Sequence, residues 1–175
     1  MKETDRSVHL QAWHALLRAQ AGVAGNLERE LMAAEGLPLA WFEVLLALDQ
    51  SPDGALRLQR LMDTVLMTKS GVSRLVDRME AAGLVTRSGC PSDRRGAFAV
   101  ITELGREKLY RATPIHSGGI DRHLAKVLDA EEAARLRDAL SAVANALGSE
   151  TVFVGCPGVD AEDHADADPK GPGET

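Results

Sequence analysis

The most constraining stretch of the chain is residues 68–82. Val72, Leu75, Val76 and Met79 fall at i, i+3, i+4 and i+7, the spacing that lines one side of an α-helix with apolar groups. Ser70, Ser73, Arg74, Asp77 and Arg78 repeat nearly the same spacing on the other side. Thr68 is placed to cap the start and Gly83 to end the helix. Such a helix buries one face in a core and presents small hydroxyls and guanidinium groups on the other. An ordinary solvated face is the bland alternative, and the residues that follow decide against it.

Two short β-patterned runs come next, 84–88 and 97–101. Between them lies Gly89-Cys90-Pro91-Ser92-Asp93-Arg94-Arg95-Gly96, read as the long, basic tip of a hairpin. Upstream, Leu58, Leu61, Met62 and Val65 predict a short helix over 57–66. Leu39, Phe42, Leu45 and Leu46 predict another over about 38–50, ended by the turn Ser51-Pro52-Asp53-Gly54. Helix, turn, helix and β-hairpin in that order make a winged helix-turn-helix. The fold class is mainly α (α+β).

The flanks are helical. Leu10, Trp13, Leu17, Ala24, Leu27 and Leu31 predict a helix over 8–34, with Ser7 placed to cap it. Thr102 is placed to cap a helix over about 103–112, which Pro114 and Gly118-Gly119 would interrupt or kink. A last helix spans 129–147, opened by a capping box of Asp129 and Glu132 and lined by Leu136, Leu140, Val143 and Leu147. The first and last stripes are too wide for helices lying outside a compact winged module, so a homodimer is expected. The expected division is a helical dimerisation region over 1–36 and 103–150, a winged module over 37–102, and an acidic, disordered tail over 151–175.

Charge supports this division. Taken over the whole chain, the formal net charge of −6 speaks against nucleic acid. Residues 160–175, however, hold six carboxylates against Lys170, a net of −5, which leaves −1 for residues 1–159. Residues 68–96 carry a net of +3. The acidity is a tail and the basicity is local to the helix and hairpin. An α-helix fits the DNA major groove with its first residues at base edges. There Ser70, Gly71 and Ser73 leave room, while Arg74 and Arg78 reach phosphates or a guanine edge; Thr68 and Lys69 at the helix start complete the candidate DNA-binding set. Arg94 and Arg95 on the wing suit the negative potential of the adjacent minor groove.

From 61 to 109 the chain resembles the MarR family of bacterial transcription regulators. The likeness rests on Thr68-Lys69-Ser70-Gly71-Val72-Ser73-Arg74-Leu75-Val76-Asp77-Arg78-Met79-Glu80 and then Gly83-Leu84-Val85. It continues in Asp93-Arg94-Arg95-Gly96, Val100-Ile101-Thr102 and Gly105. The resemblance implies an obligate homodimer whose terminal helices pack across a two-fold axis. Each recognition helix would enter one half of a pseudo-palindromic operator in double-stranded DNA. It implies too that Asp93 braces the wing while Arg94 or Arg95 enters the minor groove. Many such proteins are repressors released by small molecules.

An effector site is expected where the dimerisation helices meet the winged module. Trp13, Leu17, Phe42, Leu45, Met62 and Leu66 are the candidate ligand-binding lining, with His9, His14 or Arg18 to meet a small aromatic or anionic effector. Ordinary core and surface roles are the alternative for these residues. Cys90 could be oxidisable beside Arg87 and Arg94, with an inert thiol as the default. His116, Asp121 and His123 form no tight cluster, so no metal is expected and no cofactor is called for. Two cysteines are too few for a disulfide framework. The N-terminus lacks a signal-peptide core and no apolar run spans a bilayer, so a cytoplasmic protein without a membrane partner is expected. No nucleophile–base pair or phosphate loop suggests an enzyme. A winged-helix protein–protein interaction module without DNA binding is the competing function. It would favour an arginine-poor face and an apolar wing, the opposite of this sequence.

Overall fold

The computed structural model describes residues 3–65, 69–90 and 93–148. Helix α1 spans Glu3–Glu35, starting five residues earlier than the sequence suggested, so Ser7 lies inside the helix and does not cap it. Its Oγ accepts a hydrogen bond from Gln11 Nε2 instead. After Gly36 the chain turns through 83° into α2, Leu39–Asp49. Pro38 stands at the N-cap of α2, a position with no helical N–H to lose. Glu28 of α1 accepts from the Leu39 N–H at 2.6 Å, so α1 caps the helix that follows it.

The turn at Pro52–Gly54 leads into β1, Ala55–Arg57, a strand that the sequence pattern did not reveal. Three residues are too few to show an alternating pattern, and the strand exists because β3 pairs with it. Helix α3 follows at Leu58–Thr64 and α4 at Lys69–Ala81. Strands β2, Val85–Cys90, and β3, Asp93–Ile101, form an antiparallel hairpin, and the sheet order is β1-β3-β2. The expected long loop over 89–96 is therefore mostly strand. Cys90 pairs with Asp93, and a register shift between Gly89 and Cys90 absorbs the irregularity that the turn-forming residues had advertised as loop.

Gly83 ends α4 as expected. Its φ of +75° is left-handed, the Leu84 N–H reaches the Met79 carbonyl at 3.0 Å, and the Gly83 N–H reaches Glu80 at 2.9 Å. This pair of bonds is the Schellman arrangement, which satisfies the last carbonyls and turns the chain sharply into β2.

Helix α5 spans Glu103–Ile120 and passes into a π-helical turn at Asp121–Ala125. The expected break at Pro114 and Gly118-Gly119 is absent. The Thr113 hydroxyl donates to the Leu109 carbonyl at 2.9 Å and the Ser117 hydroxyl to the Thr113 carbonyl at 3.1 Å, side-chain bonds back onto the helix on either side of the proline. Gly119 serves packing: a Cβ there would come within 2.4 Å of the Leu27 Cδ2 on α1. Thr102 caps α5, accepting from the Gly105 N–H at 3.0 Å. Helix α6, Ala130–Ala146, opens with both bonds of the Asp129–Glu132 capping box.

One core joins the end of α1, α2 to α5 and the sheet. Phe42, Leu45, Leu48, Leu61, Val72, Val76, Met79 and Ala99 are fully buried in it, with Leu31 and Leu37 below them. The predicted stripes of α2 and α4 all turn inward. In contrast, residues 6–22 of α1 are exposed, and α6 has no buried residue. Among the described residues, no single helix is long and apolar enough to cross a membrane. Residues 151–175, the expected disordered tail, lie outside the described residues.

Candidate nucleic-acid interface

Helix α4 is held by its apolar stripe, and this leaves its other side free of the core. Ser70, Arg74, Asp77 and Arg78 are exposed and Ser73 is half-buried. The Arg78 Nε donates to the Arg74 carbonyl at 3.3 Å, which lays the guanidinium back along the helix. Thr68 lies outside the described residues. Lys69 is the first residue of α4, while Asp93, Arg94 and Arg95 are the first three of β3. The structure therefore brings the two predicted basic clusters onto the two elements that flank β2.

What joins these elements is a residue that sequence reasoning did not single out for the site. Arg87 on β2 reaches across to α4. Its Nη2 donates to Asp77 Oδ1 at 2.5 Å, to the Ser73 carbonyl at 3.1 Å and to the Ser73 hydroxyl at 3.4 Å. Its backbone N–H donates to Glu80 Oε1 at 2.9 Å. Its Nε is buried without a hydrogen-bond partner, 3.7 Å from Glu80 Oε2. The contact joins residues up to 14 apart on a helix and a strand, so no local periodicity exposes it. On the outer side of the sheet Arg57 of β1 lies over the Phe98 ring at 5.1 Å, a cation–π contact between paired strands.

The candidate effector lining is split. Phe42 and Leu45 are fully buried, and Met62 packs half-buried against the same core. Trp13 and Leu17 stand 54% and 45% exposed on the free part of α1, and Leu66 lies outside the described residues. An open hollow of about 350 Å³ is lined by His14, Leu17 and Arg18, all on that free part. His9 is exposed on the same helix.

The junction of α1 with α5 has its own polar chemistry. Glu30 accepts from Arg122 at 2.6 Å and lies 2.8 Å from the His123 Nε2. These two partners hold its carboxyl below the usual range. His116 stacks on Phe42, with ring centroids 4.4 Å apart, and burial pushes its pKa down. The two histidines weighed as metal ligands are thus engaged separately. Among the described residues, no group of three or more His, Cys, Asp or Glu could hold a metal ion.

A basic helix locked to a β-wing, beside a core that leaves two helical arms uncovered, defines a winged helix-turn-helix regulator. The MarR family profile matches residues 35–96. The HTH-type transcriptional regulator MhqR of Bacillus subtilis is 32% identical over 129 residues, covering 74% of this chain and 85% of MhqR. Sco3205 of Streptomyces coelicolor, a MarR family transcriptional regulator solved in complex with DNA, superposes with a TM-score of 0.74 at 31% identity. That match covers 84% of this chain and 93% of Sco3205. AbsC, a MarR family transcriptional regulator of the same organism, gives a TM-score of 0.73 at 32% identity over 85% of this chain and 97% of AbsC. The chain belongs to the MarR family of DNA-binding transcriptional regulators.

Proposed function

We propose that the protein is a cytoplasmic homodimeric repressor that reads a pseudo-palindromic operator and releases it on binding a small effector. The observation that carries this reading is the polar face of α4, exposed and tied to the β2–β3 wing by Arg87. Thr68, Lys69, Ser70, Ser73, Arg74 and Arg78 then meet the major groove. Asp93 braces the wing, and Arg94 and Arg95 enter the minor groove beside it. Two such heads must match successive major grooves about 34 Å apart, so small changes in their separation decide affinity.

The arms support the dimer. Leu10, Trp13 and Leu17 of α1 and Leu136, Leu140 and Val143 of α6 are all at least 37% exposed. Apolar stripes of this extent call for a cover, and a second copy supplies one that matches by symmetry. Regions 1–36 and 103–150 are the dimerisation region in this reading, and 37–102 is the reading head. A small aromatic or anionic effector fits the hollow at His14, Leu17 and Arg18, where a cation stands beside apolar carbon. Bound between the arms, it would reset the distance between the heads.

Genomic DNA capture with the purified protein tests the reading, followed by fluorescence-anisotropy titration of the recovered duplex. Arg74→Ala and Arg94→Ala are each expected to weaken binding about tenfold, as lost base-edge or phosphate contacts do, without changing the oligomer. Unchanged affinity in both variants would remove α4 and the wing from the DNA face.

A further inference from the structure

We propose that Arg87 is the positioning residue of the DNA-reading head: it fixes the wing against α4 and screens two carboxylates that would otherwise face the phosphates. The proposal rests on the DNA-binding reading above and goes beyond it, because Arg87 itself need not touch DNA.

Helix α4 has mixed charge on its outer side. Arg74 and Arg78 are cationic, but Asp77 and Glu80 are anionic and stand among them. Asp77 and Arg78 are consecutive and both exposed, so a phosphate approaching Arg78 also approaches the Asp77 carboxylate. Left alone, Asp77 and Glu80 would cancel much of the attraction. Arg87 meets both: Nη2 lies 2.5 Å from Asp77 Oδ1, and its backbone N–H and Nε lie 2.9 and 3.7 Å from the two Glu80 oxygens. The Arg87 side chain is only 28% exposed, so its donors are spent on these contacts rather than offered outward.

The same contacts set geometry. Nη2 holds the Ser73 carbonyl as well as the Asp77 carboxylate, one turn apart on α4. A planar group that grips two points on a helix from one point on a strand fixes the rotation of the helix relative to the strand. Ser73 and Asp77 lie on the flank between the buried stripe and the outward arginines, so the grip sets where Arg74 and Arg78 point. Lysine also carries its donors on one nitrogen, but it has no Nε facing Glu80 and no planar group to fix the donor directions, so it keeps only part of the grip.

The test uses the full-length dimer, the duplex recovered by genomic capture, a scrambled duplex of equal length, and titrations at several salt concentrations. Circular dichroism confirms that each variant is folded. Arg87→Ala is expected to weaken operator binding about tenfold, the loss of one strong charge-assisted network. The dependence on salt should keep its slope, whereas loss of a phosphate contact would reduce that slope by about 0.9. The decisive variant is the charge-neutral pair Asp77→Asn with Arg87→Gln. It preserves net charge but removes the grip, so operator affinity should fall while scrambled-duplex affinity stays at the wild-type value. Arg87→Lys should fall between wild type and Arg87→Ala, and it serves if Arg87→Ala does not fold.

A reduced salt slope in Arg87→Ala would make Arg87 a phosphate contact and overturn the proposal. Wild-type operator affinity in the charge-neutral pair would overturn it too, by showing that only charge matters. If the wild-type protein captures no DNA, the DNA-binding reading falls first and the proposal with it. Wild-type binding with indifferent variants refutes the proposal alone.

Discussion

The reading head and the arms are built on opposite principles. In the head, the apolar faces of α2, α3, α4 and the sheet meet one another, and Phe42, Leu61, Val72 and Met79 have no exposed surface. In the arms, helices of equal or greater length carry their apolar residues outside: Trp13 is 54% exposed and Val143 is 58% exposed. Both regions have well-formed helices. Helix formation and burial are therefore separable here. The head satisfies its hydrophobic pattern within one chain, whereas the arms have a pattern that one chain cannot satisfy.

Four substitutions or conditions break or sharpen this contrast. The largest effect is expected in the head. Phe42→Ala removes a fully buried ring and should lower stability by about 3–5 kcal/mol in urea unfolding. The arms should respond through association instead. Leu140→Asp places a charge in the proposed dimer contact and should raise the dimer dissociation constant about 100-fold by analytical ultracentrifugation, with the far-ultraviolet spectrum of the monomer retained. A dimer unaffected by this change would show that α6 is covered by something else.

A smaller effect belongs to the seam between the regions. Gly119→Ala drives a methyl against Leu27 and Glu30, and should cost about 1–2 kcal/mol of stability. The smallest is a pH effect at His116. Burial favours its neutral form, so the folded chain binds the proton less tightly than the unfolded chain, whose ordinary value is 6.5. The resulting stability is complete above that value and is lost as the pH falls through it toward the lowered folded value. Thermal unfolding should therefore drop between pH 7.5 and 5.5, and His116→Phe should flatten that part of the profile.

Much of this was legible in the sequence because it depended on neighbours along the chain. The stripe of α4, the end at Gly83, the cap at Thr102 and the Asp129–Glu132 box are all local, and each is found where its pattern puts it. What escaped depended on distant partners. Strand β1 exists through its register with Val100, Ala99 and Phe98. The glycine pair in α5 reads locally as a breaker, yet Gly119 makes room for α1. Ser7 fits the role of a cap, but nothing local stops α1 from starting earlier. The basic face was legible as a set of charges. The Arg87 contacts that organise it were not, since a lone arginine in a strand carries no mark of the helix it grips.

The Thr102 side chain has a mechanical consequence. Its hydroxyl donates to the Gly83 carbonyl at 2.7 Å, its N–H donates to the Leu84 carbonyl at 3.1 Å, and the Gly105 N–H donates back to it. The fit is so close that a Cβ on Gly105 would stand 2.2 Å from the Leu84 carbonyl oxygen. The start of α5 is thereby pinned to the end of α4, and the pin is a pivot. Helix α4 extends about 20 Å from that pivot to its N-terminal tip, taking 1.5 Å per residue. A tilt of about 10° delivered through α5 would swing the tip by about 3 Å, comparable to a hydrogen-bond length. The end of α4 proposed to meet base edges is thus the far end of a lever whose fulcrum is a single threonine.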